Sequence, residues 1–393
     1  MSVKRILGRL VRTVLAVGLL PCGVLPVVGE VIQVRDAEGL RAALARARPG
    51  TTVTLAPGRY GHGISVGNVS GTKDARIVIA GADDRDPPVF EGGNEAIHLA
   101  DCNFLTLRNL KVYGCAGNGI NCDDGSTFDT PSKGMVFENL VIEGIGPTGN
   151  KDGLKLSGLD DFTVRGCRVS GWGGSAIDMV GCHDGVIEGC RFVGKDGFSQ
   201  DTGIQAKGGC ERIVIKGNSF HNAGQRAVNL GGSTGLPFFR PRAQGFEARD
   251  LEVSGNHFVG GEAAVAYVTS TRCVVRRNTF IHPGKWVMRI LQEQPTDKFQ
   301  PCQQGVFEAN LVVFDRRVGP IANVGPDTRP DTFLFRGNAW FCRDGDCRPS
   351  LPAEETAGIH QVDPMVEDAG PRGWIIRSQD ERLRGIGAPP MGE

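Results

Sequence analysis

The sequence predicts an all-β chain wound into a solenoid of stacked strands. The first observation behind this is a short phrase that occurs four times between Asp152 and Gly232: Gly153-Leu-Lys-Leu-Ser-Gly158, Ala176-Ile-Asp-Met-Val-Gly181, Gly203-Ile-Gln-Ala-Lys-Gly208 and Ala227-Val-Asn-Leu-Gly-Gly232. Each copy alternates apolar and polar residues, as a strand with one buried face does. The copies start 23 to 27 residues apart with no helical pattern between them, a period that belongs to a stacked repeat. The second observation is a set of segments of the form apolar–x–apolar–x–x–Asn/Cys–x–apolar. Their markers are Asn109, Asn139, Cys167, Cys190, Asn218, Asn256, Asn278, Asn310 and Asn338. Stacked amides can bond to one another and to the backbone of a corner, so these markers are read as corners rather than ligands. The third is the glycine content, 57 of 393 residues without a period of three, which suits a fold with many tight corners.

Taken in order, residues 1–29 read as a secretory signal, with Lys4, Arg5, Arg9 and Arg12 ahead of an apolar run from Val14 to Val28. Pro21 and Pro26 interrupt that run, and no other stretch is apolar enough to cross a bilayer, so stable membrane insertion is not expected. The location implied is secreted or periplasmic. Residues 36–47 form an amphipathic helix with Asp36 as N-cap and Leu40 and Leu44 on its apolar stripe. Pro49-Gly50 ends it, and Thr52 to Tyr60 reads as strand and turn. A helix here would cover the open first rung of the solenoid.

Helix, Pro-Gly-Thr-Thr, strand and Ala-Pro-Gly-Arg-Tyr60 together resemble the entry to secreted right-handed parallel β-helix proteins of the pectate-lyase-like superfamily. The resemblance implies an all-β, right-handed parallel β-helix with a short N-terminal capping helix. The β-helix is expected over 30–342, and 343–393, which lacks the repeat and is rich in proline, is expected as an extended tail packed on the last coils. Longer coils at 122–135, 233–249, 292–305 and 315–331 are expected to wall the binding face. Export permits disulfides. Of 12 cysteines, setting Cys22 aside leaves 11, an odd number. Cys342 and Cys347 could close a small loop, while Cys167 with Cys190 and Cys182 with Cys210 are read as stacked, buried thiols.

Aligning the strand phrases places His98, Asn121, Lys155, Asp178, Gln205, Asn229, Ala266 and Arg289 in one outward column. A small column, Gly119, Gly153, Ala176, Gly203, Ala227 and Ala264, is expected beside it as the floor of a trough. A further column holds Asp123, Ser157, Lys207 and Gly231, and Asp152, Asp201 and Arg226 lie at the approach to the strands. Such a trough suits an extended acidic polysaccharide, whose hydroxyls need paired donors and acceptors and whose carboxylates need cations. With 44 basic and 44 acidic side chains, the chain lacks the excess charge of a nucleic-acid binder. A monomer is expected.

The fitting chemistry is β-elimination from a uronic acid, which needs a base for the C5 proton and a neutralised carboxylate. Lys207 and Lys155 are the candidate bases, with Asp178 and Arg226 beside them. His98, Asn121, Gln205, Asn229, Arg240 and Arg289 are the candidate substrate-binding residues. Asp152 and Asp201, with Asp178, are candidate oxygen ligands for Ca2+. The stretch 204–231 is similar to polysaccharide lyase family 6, the alginate lyases and chondroitinase B. There a Lys base is followed one coil later by an Arg. Lys207 matches the Lys, Gly231 stands at the Arg position, and Arg226 or Arg240 could supply the guanidinium. Phe238 and Phe239 could stack on a sugar or form a lid. A glycosidase using Asp152 and Asp178, and a non-catalytic glycan-binding protein, are the competing readings.

Overall fold

The computed structural model describes residues 29–392, so the expected leader lies outside the described residues except for Gly29. Each coil contributes a strand to three long parallel sheets, thirteen-, twelve- and ten-stranded. In one coil these are Leu105–Arg108, Lys111–Tyr113 and Ile120–Asp123. A three-stranded sheet of Cys210–Glu211, Ala248–Arg249 and Ser270–Thr271 rounds the last corner of the middle coils.

Alternation puts one face of every strand inside. On the twelve-stranded sheet the inward residues Phe192, Phe220, Phe258 and Phe280 stack with ring centroids 4.9, 4.7 and 4.9 Å apart. That is the strand spacing itself, so the register that pairs the backbone also sets the rings at contact distance.

The corner between the thirteen- and twelve-stranded sheets carries the amide ladder. Asn218, Asn256, Asn278, Asn310 and Asn338 are fully buried. Each of the first four donates its backbone N–H and its Nδ2 to the Oδ1 of the next, at 2.9 to 3.1 Å. Cys190 N enters the same ladder by donating to Asn218 Oδ1 at 2.8 Å. Asn109 and Asn139 do not belong to it. They sit one position earlier, at the left-handed corner (φ 55° and 51°) that Gly189 and Gly217 occupy on later coils, and Leu110 and Leu140 take the inward place. Asn tolerates that backbone region, which explains why one residue type serves two adjacent roles.

The ends are closed differently. The helix Ala37–Arg46 is capped by Asp36, whose Oδ1 accepts from Gly39 N at 2.7 Å, and it buries Leu40, Ala43 and Leu44 in the core. A strand not read from the sequence, Val31–Val34, precedes it and pairs with Thr52–Leu55. At the other end the solenoid runs past 342. Strands Glu355–Thr356 and Ile359–His360 add a last partial coil, so the tail begins later than expected. It then forms an antiparallel hairpin, Val366–Asp368 with Trp374–Ile376, over an apolar patch of Ile281, Leu311, Val313 and Ala339. The outward face of the twelve-stranded sheet is apolar where the tail covers it, whereas Glu143 and Ser170 occupy earlier coils.

Cys342 and Cys347 form a disulfide, and Cys167, Cys190, Cys182 and Cys210 are buried free thiols. Among the described residues no helix is long and apolar enough to cross a membrane.

Candidate active site

The outward column on the ten-stranded sheet is present in the expected register. His98 pairs with Asn121, Asn121 with Lys155, Lys155 with Asp178, Asp178 with Gln205, Gln205 with Asn229, Asn229 with Ala266 and Ala266 with Arg289. Ser65 and Asn323 extend it at the two ends. At about 4.8 Å per strand the column spans roughly 43 Å.

The small column is not its floor. Ala176, Ala227 and Ala264 lie in the hydrophobic core. A Cβ on Gly119 would meet the carbonyl of Gly153 and the core side chains of Ile142 and Ile145, and one on Gly203 would meet the carbonyl of Ala227. The chain turns inward just before each strand, so these positions are small because the coils approach closely there. The floor is the polar column itself.

Its centre is an ionic cluster. Lys155 Nζ contacts Asp178 Oδ2 and lies 3.2 Å from Asp152 Oδ2. Lys207 Nζ stands 3.2 Å from Gln205 Oε1 and 3.2 Å from Asp178 Oδ1. The latter contact is off the line of a hydrogen bond, so Asp178 Oδ1 is a buried carboxylate oxygen without a hydrogen-bond donor. The lysine side chains are 17% and 18% exposed and the two carboxylates at most 1%. Solvent therefore reaches this site through the amines. Burial disfavours the Lys155 ammonium, but Asp178 and Asp152 outweigh it and hold its pKa above the ordinary lysine value. Lys155 is thus a fixed cation, not a base. Burial, reinforced by repulsion from Asp178, raises the Asp152 carboxyl.

The expected Ca2+ ligands do not fit a divalent cation. Asp152 Oδ1 accepts from Ser175 N at 2.8 Å and its Oδ2 faces Lys155. Asp201 stands apart at the exposed edge, 3.4 Å from Gln225 Nε2, with its carboxyl raised by partial burial. Among the described residues no three His, Cys, Asp or Glu side chains are grouped to hold a metal ion.

The column is electrostatically uneven. At one end His98 is clamped by Asp123 at 2.8 Å and Glu95 at 3.4 Å. Those hydrogen bonds push its pKa up to about 10, so it is an imidazolium at neutral pH. Toward the other end Arg226 donates to Asn229 Oδ1 at 3.3 Å and to Glu293 at 2.7 Å, and Arg289 donates to Asn323 Oδ1 at 2.9 Å.

One wall is a strap formed by 233–247. It leaves the coil of Asn229 and runs back over earlier coils, crossing the glycines that end the repeated phrases. A Cβ on Gly158 or Gly181 would run into Arg240, and one on Gly208 would lie 3.3 Å from Thr234. Arg240 is therefore not a trough residue. It is 9% exposed, donates to Asp124 Oδ2 at 2.8 Å and lies 4.2 Å above the Phe128 ring. Nothing in the sequence marks that pairing, because it joins loops 116 positions apart. Glu247, missed for the same reason, anchors the strap. It is fully buried and accepts from Gly208 N at 2.6 Å, Thr234 N at 2.6 Å and Gln294 Nε2 at 2.5 Å. Phe239 is buried against Phe299, while Phe238 is 61% exposed.

A cavity of about 1120 Å³ lies away from this face, where 385–389 crosses the corner of the other two sheets. Its lining pairs Glu188 with Lys216, Glu252 with Arg276 and Glu308 with Arg336, so it has the character of a structural groove.

Residues 95–280 match the family described as right handed beta helix region. No curated protein matches the chain by sequence. Among solved structures, the A-module of mannuronan C-5 epimerase AlgE6 from Azotobacter vinelandii is 13% identical over 82% of this chain and 93% of its own, with a TM-score of 0.54. Pectate lyase Pel9A is 13% identical over 79% and 80%, with a TM-score of 0.50. An alginate lyase from Paenibacillus sp. str. FPU-7 is 17% identical over 85% and 98%, with a TM-score of 0.49. At these identities the likeness is one of fold. The chain has the fold of a right-handed parallel β-helix.

Proposed function

We propose that this chain is an extracytoplasmic, polysaccharide-active protein that cleaves a uronic-acid polymer by β-elimination, with Lys207 as the base. The observation that carries this reading is the meeting of Lys155, Asp178 and Lys207 on successive coils of a polar column, with an amine at the solvent side of a buried carboxylate. Lys155 is committed to its two carboxylates, which leaves Lys207 as the amine able to cycle. In its neutral form Lys207 takes the C5 proton. The electron pair of that bond forms the C4–C5 double bond, the C4–O bond breaks, and the departing oxygen recovers the proton from the new Lys207 ammonium. Arg226, beside Asn229, supplies positive charge for the uronate carboxylate.

Hydrolysis fits less well. Asp152 and Asp178 are both buried and share the Lys155 ammonium between them, which leaves no room for a glycosidic bond between the two carboxyls. The test is incubation with alginate, pectate and other uronate polymers while following ultraviolet absorbance of the unsaturated product. Elimination predicts absorbance that Lys207→Ala lowers about 100-fold or more. New reducing ends without absorbance, or retention of glycan with neither, would replace this reading by hydrolysis or by binding alone.

A further inference from the structure

We infer that Arg289 is a carboxylate-binding subsite of the trough, three coils beyond the one carrying Lys207, and that it takes a uronate residue of the bound polymer. This rests on the polysaccharide reading above. The guanidinium is held in place from two sides. Its Cζ lies 4.5 Å from the centroid of the Trp286 ring, and its Nε is fixed on Asn323 Oδ1 at 2.9 Å. The hydrogen bond engages Nε and not the two terminal nitrogens, and a pair of parallel N–H donors is the geometry that recognises a carboxylate.

The neighbouring carboxylates are already engaged. Glu293 pairs with Arg226 at 2.7 Å and Glu262 with Lys285 at 3.6 Å. Among the described residues none stands within ion-pairing distance of Arg289. Burial and the nearby Arg226 both disfavour its charge, which an arriving anion would compensate. The rung between the two arginines is Ala266, paired with Asn229 on one side and Arg289 on the other. Ala266 is itself fully buried, packed with Val268 and Leu291, so the two arginines flank a small apolar rung. At about 4.8 Å per coil, Arg289 lies roughly 14 Å along the trough from the coil of Lys207, within reach of one oligosaccharide.

The experiment titrates the full-length protein with hexasaccharides of mannuronate, guluronate and galacturonate, and with a neutral hexasaccharide. Binding is followed by calorimetry and by tryptophan fluorescence, to which Trp286, whose ring lies against Arg289, contributes as one of four tryptophans. The inference expects at least one uronate hexamer to bind, the neutral one to bind more weakly, and Arg289→Ala to weaken uronate binding by about tenfold or more. Arg289→Lys, which keeps the charge and loses the fork, should recover only part of it. Arg108→Ala, on the outer face of the thirteen-stranded sheet, should bind as the unaltered chain does. Equal affinity of Arg289→Ala and the unaltered chain, or of uronate and neutral hexamers, would overturn the inference. Undiminished turnover by Lys207→Ala would overturn Lys207 as the base and leave the subsite standing.

Discussion

Two columns of side chains climb this solenoid with the same period. The inner one, Asn218 to Asn338, repeats a single residue, and each amide is satisfied by the next. The outer one changes residue type at nearly every rung and, among the described residues, leaves Asp178 Oδ1 without a donor and Arg289 without an ion-paired carboxylate. Repetition of one self-complementary group solves a packing problem, because a buried amide needs partners and an identical neighbour supplies them. Variation along an exposed column does nothing for packing. Where it gathers buried charge, it carries the feature on which the proposed site rests.

Substitutions can separate the two columns. The largest effect is expected for Lys207→Ala: a loss of about 100-fold or more in elimination rate, measured by product absorbance, with the thermal midpoint nearly unchanged. A midpoint that fell with the activity would place Lys207 among the structural residues. Next comes Lys155→Met, which strands Asp152 and Asp178 as buried carboxylates. It should cost about 3 kcal/mol or more in urea unfolding, so the outer column has one rung that is structural too. Asn256→Ala removes an amide bonded to two rungs and two carbonyls, and a loss of about 2–3 kcal/mol is expected with glycan binding intact.

A smaller effect concerns the tail. His257 is fully buried; its Nδ1 accepts from Trp374 N at 3.3 Å and its Nε2 donates to Pro389 O at 3.0 Å, a pattern only the neutral ring satisfies. Burial lowers its pKa, and His221, itself near Asp368 and Arg191, lowers it further. The unfolded ring therefore binds protons more readily than the folded one. Tail docking should be complete above about pH 6.5 and weaken as pH falls below it. Amide exchange over 374–389 measured against pH checks this, and His257→Gln should flatten the profile.

The fold and the register of the outer column were legible because apolar–polar alternation fixes which residues face out, and pairing fixes which lie above one another. The same logic failed one step outside the strands. Extending the period of two past the point where the chain bends puts Gly119 and Ala176 outward, but the core claims them instead. Asn109 and Asn139 were placed one position off because Asn suits both the left-handed corner and the amide ladder. Arg240 and Glu247 are not legible in the sequence, because their partners come from loops of other coils and no local pattern encodes such a meeting. The last coil at 355–360 was hidden because its strands have only two residues each.

The strap changes how this molecule should come apart. In a simple solenoid each rung touches only its neighbours, so stability is a sum of local increments and the ends can unravel one rung at a time. Here Arg240 reaches back to Asp124 while Glu247 holds Gly208, so the rungs from Asp124 to Asn229 are cross-laced by a segment made after all of them. Under pulling from either terminus, the middle should resist as one block and yield in a single large event.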